Sequence, residues 1–222
     1  MIMQKTIEKN LLQIQEDIAP CKPNIIAVTK YFDEKAIVSA YNAGMRDFAE
    51  SRAIEAIEKI NNLPEDVRKN SKFHFIGHLQ SNKVKKVVAN FDYIHSVDSL
   101  KIAELISQEA HKIGKIQNIL LQINNAGEEQ KSGFSREEIF ENFPEIQNLS
   151  NVKISGLMNM APLGVEDSEL EILFEDVYHI KQSLESKFNC KLEELSMGMS
   201  QDYKIAVKHG ATMLRIGRKL FK

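Results

Sequence analysis

Residues 25–49 read IIAVTKYFDEKAIVSAYNAGMRDFA, a strand, a helix and a second strand in succession. Ile25-Ile26-Ala27-Val28-Thr29 is short, apolar and rich in β-branched residues, which predicts a strand buried inside a core. A helical pattern follows over 34–43, Gly44 punctuates its end, and 46–49 returns to strand. The same unit repeats along the chain. Strands are expected at 25–29, 46–49, 73–77, 93–97, 117–123, 152–157, 193–197 and 212–216. Helical patterns lie at 34–43, 51–61, 80–90, 99–112, 135–148, 167–188 and 200–209, and a further helix over 3–18 precedes the first strand. In 167–188 the apolar positions Leu170, Leu173, Phe174, Val177, Ile180 and Leu184 recur with the period of a one-sided helix. Ser99 and Ser135 offer N-cap oxygens, and Glu138 completes a capping-box pattern with Ser135. Gly114 and Gly210 end helices as Gly44 does.

Strict alternation of strand and helix implies a parallel sheet. Eight strands favour a closed (β/α)8 TIM-type barrel, with an extra N-terminal helix, over an open doubly wound sheet. No linker, low-complexity stretch or charge block divides the chain, so residues 1–222 are expected to form a single α/β domain.

Composition narrows the function classes. The 222 residues are 43% hydrophobic, enough for one sizeable core. A net charge of -2 gives no reason to expect nucleic acid or an anionic membrane as a partner. Cys21 and Cys190 are the only cysteines and form no CxxC pair, which suits a reducing, cytoplasmic setting and argues against zinc or a disulfide framework. Met1 to Ala19 reads as an amphipathic helix, not a signal peptide. Asn148-Leu149-Ser150 is a chance sequon on that reading. His74 and His78 fall on a strand and the loop after it, so they do not share a helix face as a zinc pair would; no metal site is expected. Lys83, Lys85 and Lys86 read as a solvated helix face, and neither a dinucleotide fingerprint nor a Walker-type phosphate loop is present.

The candidate chemistry lies at strand ends. Lys30 follows the first strand, on the face where barrel enzymes place their active sites. It is either an ordinary strand-end lysine snorkelling to water or an amine whose partial desolvation favours the nucleophilic form. A lysine of the second kind forms a Schiff base with a carbonyl compound or with pyridoxal 5'-phosphate (PLP). After strand seven comes Ser196-Met197-Gly198-Met199-Ser200-Gln201-Asp202, where Gly198 lets backbone approach a ligand and Ser200 can cap the next helix. After strand eight comes Arg215-Ile216-Gly217-Arg218, with the N–H groups of Gly217 and Arg218 as phosphate donors. Loops at these two places commonly build a phosphate site. Arg215, inward-facing, could pair with a carboxylate, hold a phosphate or donate to a ring nitrogen.

The chain resembles the pyridoxal phosphate homeostasis proteins, single-domain relatives of the alanine racemase barrel. The resemblance rests on residues 26–30 (IAVTK), 48–51 (FAES), 74–83 (HFIGHLQSNK), 122–124 (QIN), 131–133 (KSG), 156–158 (GLM), 195–200 (LSMGMS) and 215–217 (RIG). It implies that Lys30 holds PLP as a Schiff base. Ser200, Gly217 and Arg218 would bind its phosphate, the last two through backbone amides. Arg215 would face the pyridine nitrogen, and His74 and Met158 would line the pocket. Ser51 stands where the family usually has an asparagine near the cofactor's 3-hydroxyl, in Phe48-Ala49-Glu50-Ser51 against the usual Phe-Gly-Glu-Asn. The chain stops at Phe221-Lys222, short of the family's usual tail.

The resemblance also implies a cytoplasmic monomer that binds PLP and serves vitamin B6 homeostasis without conventional turnover. Apo forms of PLP-dependent enzymes are its candidate protein partners. A PLP-dependent amino-acid racemase is the alternative. Two-base racemisation needs an acid–base residue on each face of the substrate. In alanine racemase the second comes from a partner subunit, in an assembly supported by a C-terminal β-domain, and this chain ends after strand eight. A Schiff-base aldolase acting on a sugar phosphate is a third reading, but it would more naturally carry its lysine on a later strand.

Overall fold

The structure is a computed structural model that describes residues 2–127, 132–162 and 164–222. Among them, eight parallel strands follow one another in sequence order around a closed barrel. They are β1 (Asn24–Val28), β2 (Asp47–Glu50), β3 (Lys72–Phe75), β4 (Tyr93–Val97), β5 (Gln117–Ile123), β6 (Val152–Asn159), β7 (Glu194–Ser196) and β8 (Met213–Ile216). β8 pairs with β1, Ile26 opposite Arg215 and Ala27 opposite Ile216, which closes the ring. Helices α1 (Ile2–Asp17), α2 (Glu34–Asn42), α3 (Ala53–Asn61), α4 (Glu65–Lys69), α5 (Val84–Asn90), α6 (Leu100–Lys112), α7 (Arg136–Gln147), α8 (Asp167–Phe188), α9 (Tyr203–Lys208) and α10 (Arg218–Phe221) surround it. The expected (β/α)8 barrel with an extra N-terminal helix is therefore the fold.

Successive strand residues face opposite sides, and that parity divides the core in two. Ile26, Ala49, Leu120, Met158 and Met213 fill the barrel interior, with Val28, Ile76, Tyr93 and Met160 packed against them. Their strand neighbours Ala27, Phe48, Leu157, Leu214 and Ile216 face outward into a much larger cluster with the helices. Each large aliphatic or aromatic side chain buried there contributes roughly 1.5–3 kcal/mol.

Local signals set the helix ends. Asp33 accepts from the Ala36 N–H at 3.2 Å to start α2, and Ser99 from Ile102 N–H at 3.4 Å to start α6. Ser135 and Glu138 form the reciprocal capping box of α7, at 3.1 and 2.8 Å. Gly44 and Gly210 leave α2 and α9 with φ of +97° and +84°, a region that costs other residues strain.

Some boundaries differ from the sequence-based expectation. α4 and α10 are additional: α4 buries only Val67, so it has no apolar periodicity to read, and α10 is a single turn that buries Leu220 and Phe221. β3 stops at Phe75, and the helix expected from residue 80 begins as a 3-10 turn, Ser81–Lys83, ahead of α5. Beyond β3, Gly77 passes under β2's exit; a Cβ there would lie 2.1 Å from the Ser51 carbonyl oxygen. α9 begins at Tyr203 instead of residue 200. No helix among the described residues is long and apolar enough to cross a membrane.

Candidate functional site

Barrel closure sets β8 between β7 and β1, so the loops leaving those three strands share one rim. Lys30 lies two residues past the end of β1, half-buried, in the parity of inward-facing Ile26 and Val28. Its Nζ sits 5.3 Å from the centre of the exposed Tyr31 ring. Thr29, immediately before it, is clamped. Its N–H donates to the Ala49 carbonyl at 3.0 Å and its hydroxyl to Glu50 Oε1 at 2.7 Å. Lys59 Nζ, from α3, donates to the same Glu50 oxygen at 2.6 Å and to the Thr29 carbonyl at 3.0 Å. Glu50 is 2% exposed and Lys59 12%, so this is a buried ion pair that fixes the β1 exit.

The loop after β7 and the turn after β8 are tied together. Arg215 N–H donates to the Gly198 carbonyl at 3.0 Å. Ser200 does not cap α9; its Oγ accepts from the Lys219 N–H of α10's first turn at 3.3 Å. Asp202 secures the loop instead, accepting from the Met199 N–H at 2.5 Å. Gly198 has φ of +91°, and a Cβ there would press within 2.7 Å of Ala206. Gly217, by contrast, has φ of -111°, and its Cβ would meet only Val28 at an ordinary 3.5 Å. Protein packing does not demand glycine at 217.

Arg215 is 3% exposed. Its guanidinium donates to the Ser196 carbonyl and Ser196 Oγ, each at 2.6 Å, and to the Asn159 carbonyl at 2.7 Å. All three acceptors are neutral, and no carboxylate among the described residues forms an ion pair with it. Burial pulls its pKa down to about 10, against a partial offset from Asp202. Asn159, beside it, is 2% exposed, and its side-chain oxygen has no partner among the described residues.

His74 is fully buried in the barrel. Its Nε2 lies 2.9 Å from Asp47 Oδ1 and its Nδ1 2.9 Å from His95 Nε2, and the ring stacks on Tyr93 at 4.8 Å. Met158 is fully buried in the interior cluster. Ser51 is half-buried and lines a cleft of about 220 Å3 with Phe75, His78, Gln80 and Lys83. His78 turns away from His74, to Asp98 and Ser132, with Nδ1 3.1 Å from each. Lys131 lies outside the described residues. Sequence reading missed Asp47, His95, Ser196 and Asn159. For Asp47, His95 and Ser196 the available signal was a polar residue at inward strand parity; Asn159, at the end of β6 between inward-facing Met158 and Met160, gave none.

The chain matches the family model for the alanine racemase N-terminal domain over residues 2–222. It is 44% identical over 210 residues to a pyridoxal phosphate homeostasis protein of Synechocystis sp., covering 93% of this chain and 94% of that one. The solved structure of PipY from Synechococcus elongatus, with PLP bound, superposes with a TM-score of 0.87 at 36% identity, covering 97% of this chain and all of that one (100%). An alanine racemase of Clostridium difficile shares the fold, with a TM-score of 0.79 at 17% identity over 97% of this chain and 56% of that one. The chain therefore belongs to the alanine racemase N-terminal domain family and, within it, to the pyridoxal phosphate homeostasis proteins.

Proposed function

We propose that this protein binds PLP at the barrel mouth, covalently through Lys30 Nζ, and keeps it available for B6 homeostasis without turning over a substrate. What carries this reading is Arg215, a buried guanidinium whose three partners are all neutral, set under the rim that bears Lys30. Such a group favours an acceptor ligand such as a ring nitrogen. Gly217, required by neither its backbone nor its neighbours, leaves room over Val28. The residues present thus fit the cofactor.

When bound, PLP brings an aldehyde, a pyridine nitrogen and a phosphate dianion. Lys30 would supply the amine, Arg215 the hydrogen bond to the ring nitrogen, and Ser200 with the Gly217 and Arg218 amides the phosphate contacts. Met158 would form part of the apolar floor and His74 would support it from below. Ser51, across the mouth, would stand near the ring's 3-hydroxyl. Carriage without turnover is supported by the imidazoles. His74 and His95 have both nitrogens engaged inside the barrel, which leaves neither free to take a proton from a substrate. PLP and the apo-enzymes that consume it are the proposed partners of a cytoplasmic monomer. The free thiols of Cys21 and Cys190 fit a reducing compartment.

The test is direct. PLP is added, the visible absorbance band is recorded, the complex is reduced with borohydride, and the pyridoxyl adduct is located by mass spectrometry. The expected adduct is on Lys30 and is absent from Lys30→Ala. An adduct on Lys83 or elsewhere refutes the assignment. Conversion of L- to D-alanine at an ordinary enzymatic rate refutes the absence of turnover.

A further inference from the structure

Arg215 is one end of a line of hydrogen bonds that crosses the barrel. Its NH1 lies 2.6 Å from Ser196 Oγ, and Ser196 Oγ lies 2.9 Å from His95 Nδ1. His95 Nε2 is 2.9 Å from His74 Nδ1, and His74 Nε2 is 2.9 Å from Asp47 Oδ1. The line draws one residue from each of β8, β7, β4, β3 and β2. Four of its members are buried; Asp47 alone reaches an edge, 16% exposed, where it lines a cleft of about 260 Å3 with Gln15, Asn24 and Arg46.

The line runs in one direction. An ionised Asp47 only accepts, so His74 carries its proton on Nε2. A neutral His74 then accepts at Nδ1, which makes His95 a donor from Nε2. The bare Nδ1 of His95 accepts from the Ser196 hydroxyl, whose oxygen accepts a hydrogen bond from the guanidinium. Every donor on the line has an acceptor. The opposite order needs a doubly protonated His74, and it has both neighbours donating to Ser196 Oγ, so the serine proton finds no acceptor on the line. Burial first, with the nearby Arg215 charge, holds His95 well below the ordinary imidazole range, which keeps that ring neutral. Burial works to raise Asp47, but its hydrogen bonds with His74 and Asn24 and the nearby Lys72 charge hold the carboxyl below its usual range.

We propose that this line makes Asp47 the remote counter-charge of Arg215, with Ser196, His95 and His74 as its positioning residues. A carboxylate at the N-terminal end of the barrel thereby sets how the guanidinium meets a ring nitrogen at the mouth. Hydrogen bonds in series polarise one another in a low-dielectric interior, so the charge is felt along the whole line. The proposal rests on the PLP reading above.

Two measurements test it. In 15N-labelled protein as purified, long-range proton–nitrogen correlation reads the tautomers; the expected result is a bare Nδ1 and a protonated Nε2 on His95. In PLP titrations, Asp47→Asn keeps an acceptor oxygen and removes the charge, and Ser196→Ala breaks the line in the middle. Each is expected to weaken PLP affinity about tenfold, the value of one charge-assisted hydrogen bond, and to displace the absorbance maximum of the bound cofactor. Circular dichroism and melting curves show that each variant is folded. Wild-type affinity with an unmoved band in both variants, or a protonated Nδ1 on His95, overturns the proposal. A wild-type protein that takes up no PLP overturns the functional reading instead, and the nitrogen shifts still decide the direction of the line.

Discussion

Replacing Lys59 by methionine isolates the worth of the clamp at the β1 exit. The substitution keeps most of the side-chain volume and removes the ammonium, which strands the Glu50 carboxylate at 2% exposure. Breaking a buried pair from one side costs about 3–5 kcal/mol, because the remaining charge has lost both water and partner. Glu50 keeps the Thr29 hydroxyl at 2.7 Å, a bond that offsets about 1 kcal/mol. The Thr29 carbonyl loses a donor at 3.0 Å, which acts in the other direction. The expected net loss is about 3 kcal/mol, read as a lower urea midpoint at unchanged slope, or about 6–12 °C in the melting temperature of a protein this size. Adding Glu50→Gln should return part of that loss, since no unpaired charge then remains. Lys59→Met should also slow adduct formation at Lys30, because Thr29 loses one of its restraints. A loss below about 1 kcal/mol, the value of an exposed pair, refutes the reasoning and means that water reaches Glu50.

Two glycines should behave oppositely. Gly156→Ala puts a Cβ 1.8 Å from the Glu194 carbonyl oxygen, so β6 and β7 must separate, and a loss of about 3 kcal/mol or more is expected in a denaturant melt. Gly217→Ala meets only Val28 at 3.5 Å, so its melt should move by less than about 1 kcal/mol while PLP retention falls in a filtration assay; unchanged retention counts against the phosphate assignment. Asp17 is held at about 2, first by the Tyr203 hydroxyl and then by Lys204 and Gln13, against burial. A carboxyl lowered in the folded state stabilises above its ordinary pKa near 3.8 and loses that contribution as pH falls toward about 2. The stability gap between wild type and Tyr203→Phe should therefore be full at neutral pH and shrink between about pH 4 and 2; a gap independent of pH in that window contradicts the assignment.

The barrel was legible because each strand is a short apolar run and each helix a one-sided pattern, and those periods are local. Ser135 with Glu138 and the glycines at 44 and 210 marked ends for the same local reason. α4 escaped because Val67 alone anchors it. The rim residues Lys30, Ser200, Arg215 and Gly217 could be named because strand ends follow from strand positions. The line behind Arg215 could not. It depends on register between strands distant in sequence, and the pairing of β4 with β5 shifts between Ile94 and Val97, next to His95. The expectation that Ser200 caps α9 failed for a related reason: its partner, the Lys219 amide, belongs to a turn that has no sequence pattern of its own.

The β1–β8 seam makes the rim depend on the two ends of the chain meeting. Lys30 leaves the first strand, and the Gly217 turn leaves the last, so the two halves of the rim meet only when Met213–Ile216 have docked against Asn24–Val28. Contacts of such long sequence separation form late in folding, after the loop-closure entropy has been met by the strands between them. A chain still being synthesised, or one halted short of β8, carries the lysine without the rest of its rim. If the proposed function holds, cofactor capture requires completed closure, and a partly folded chain would leave free PLP untouched.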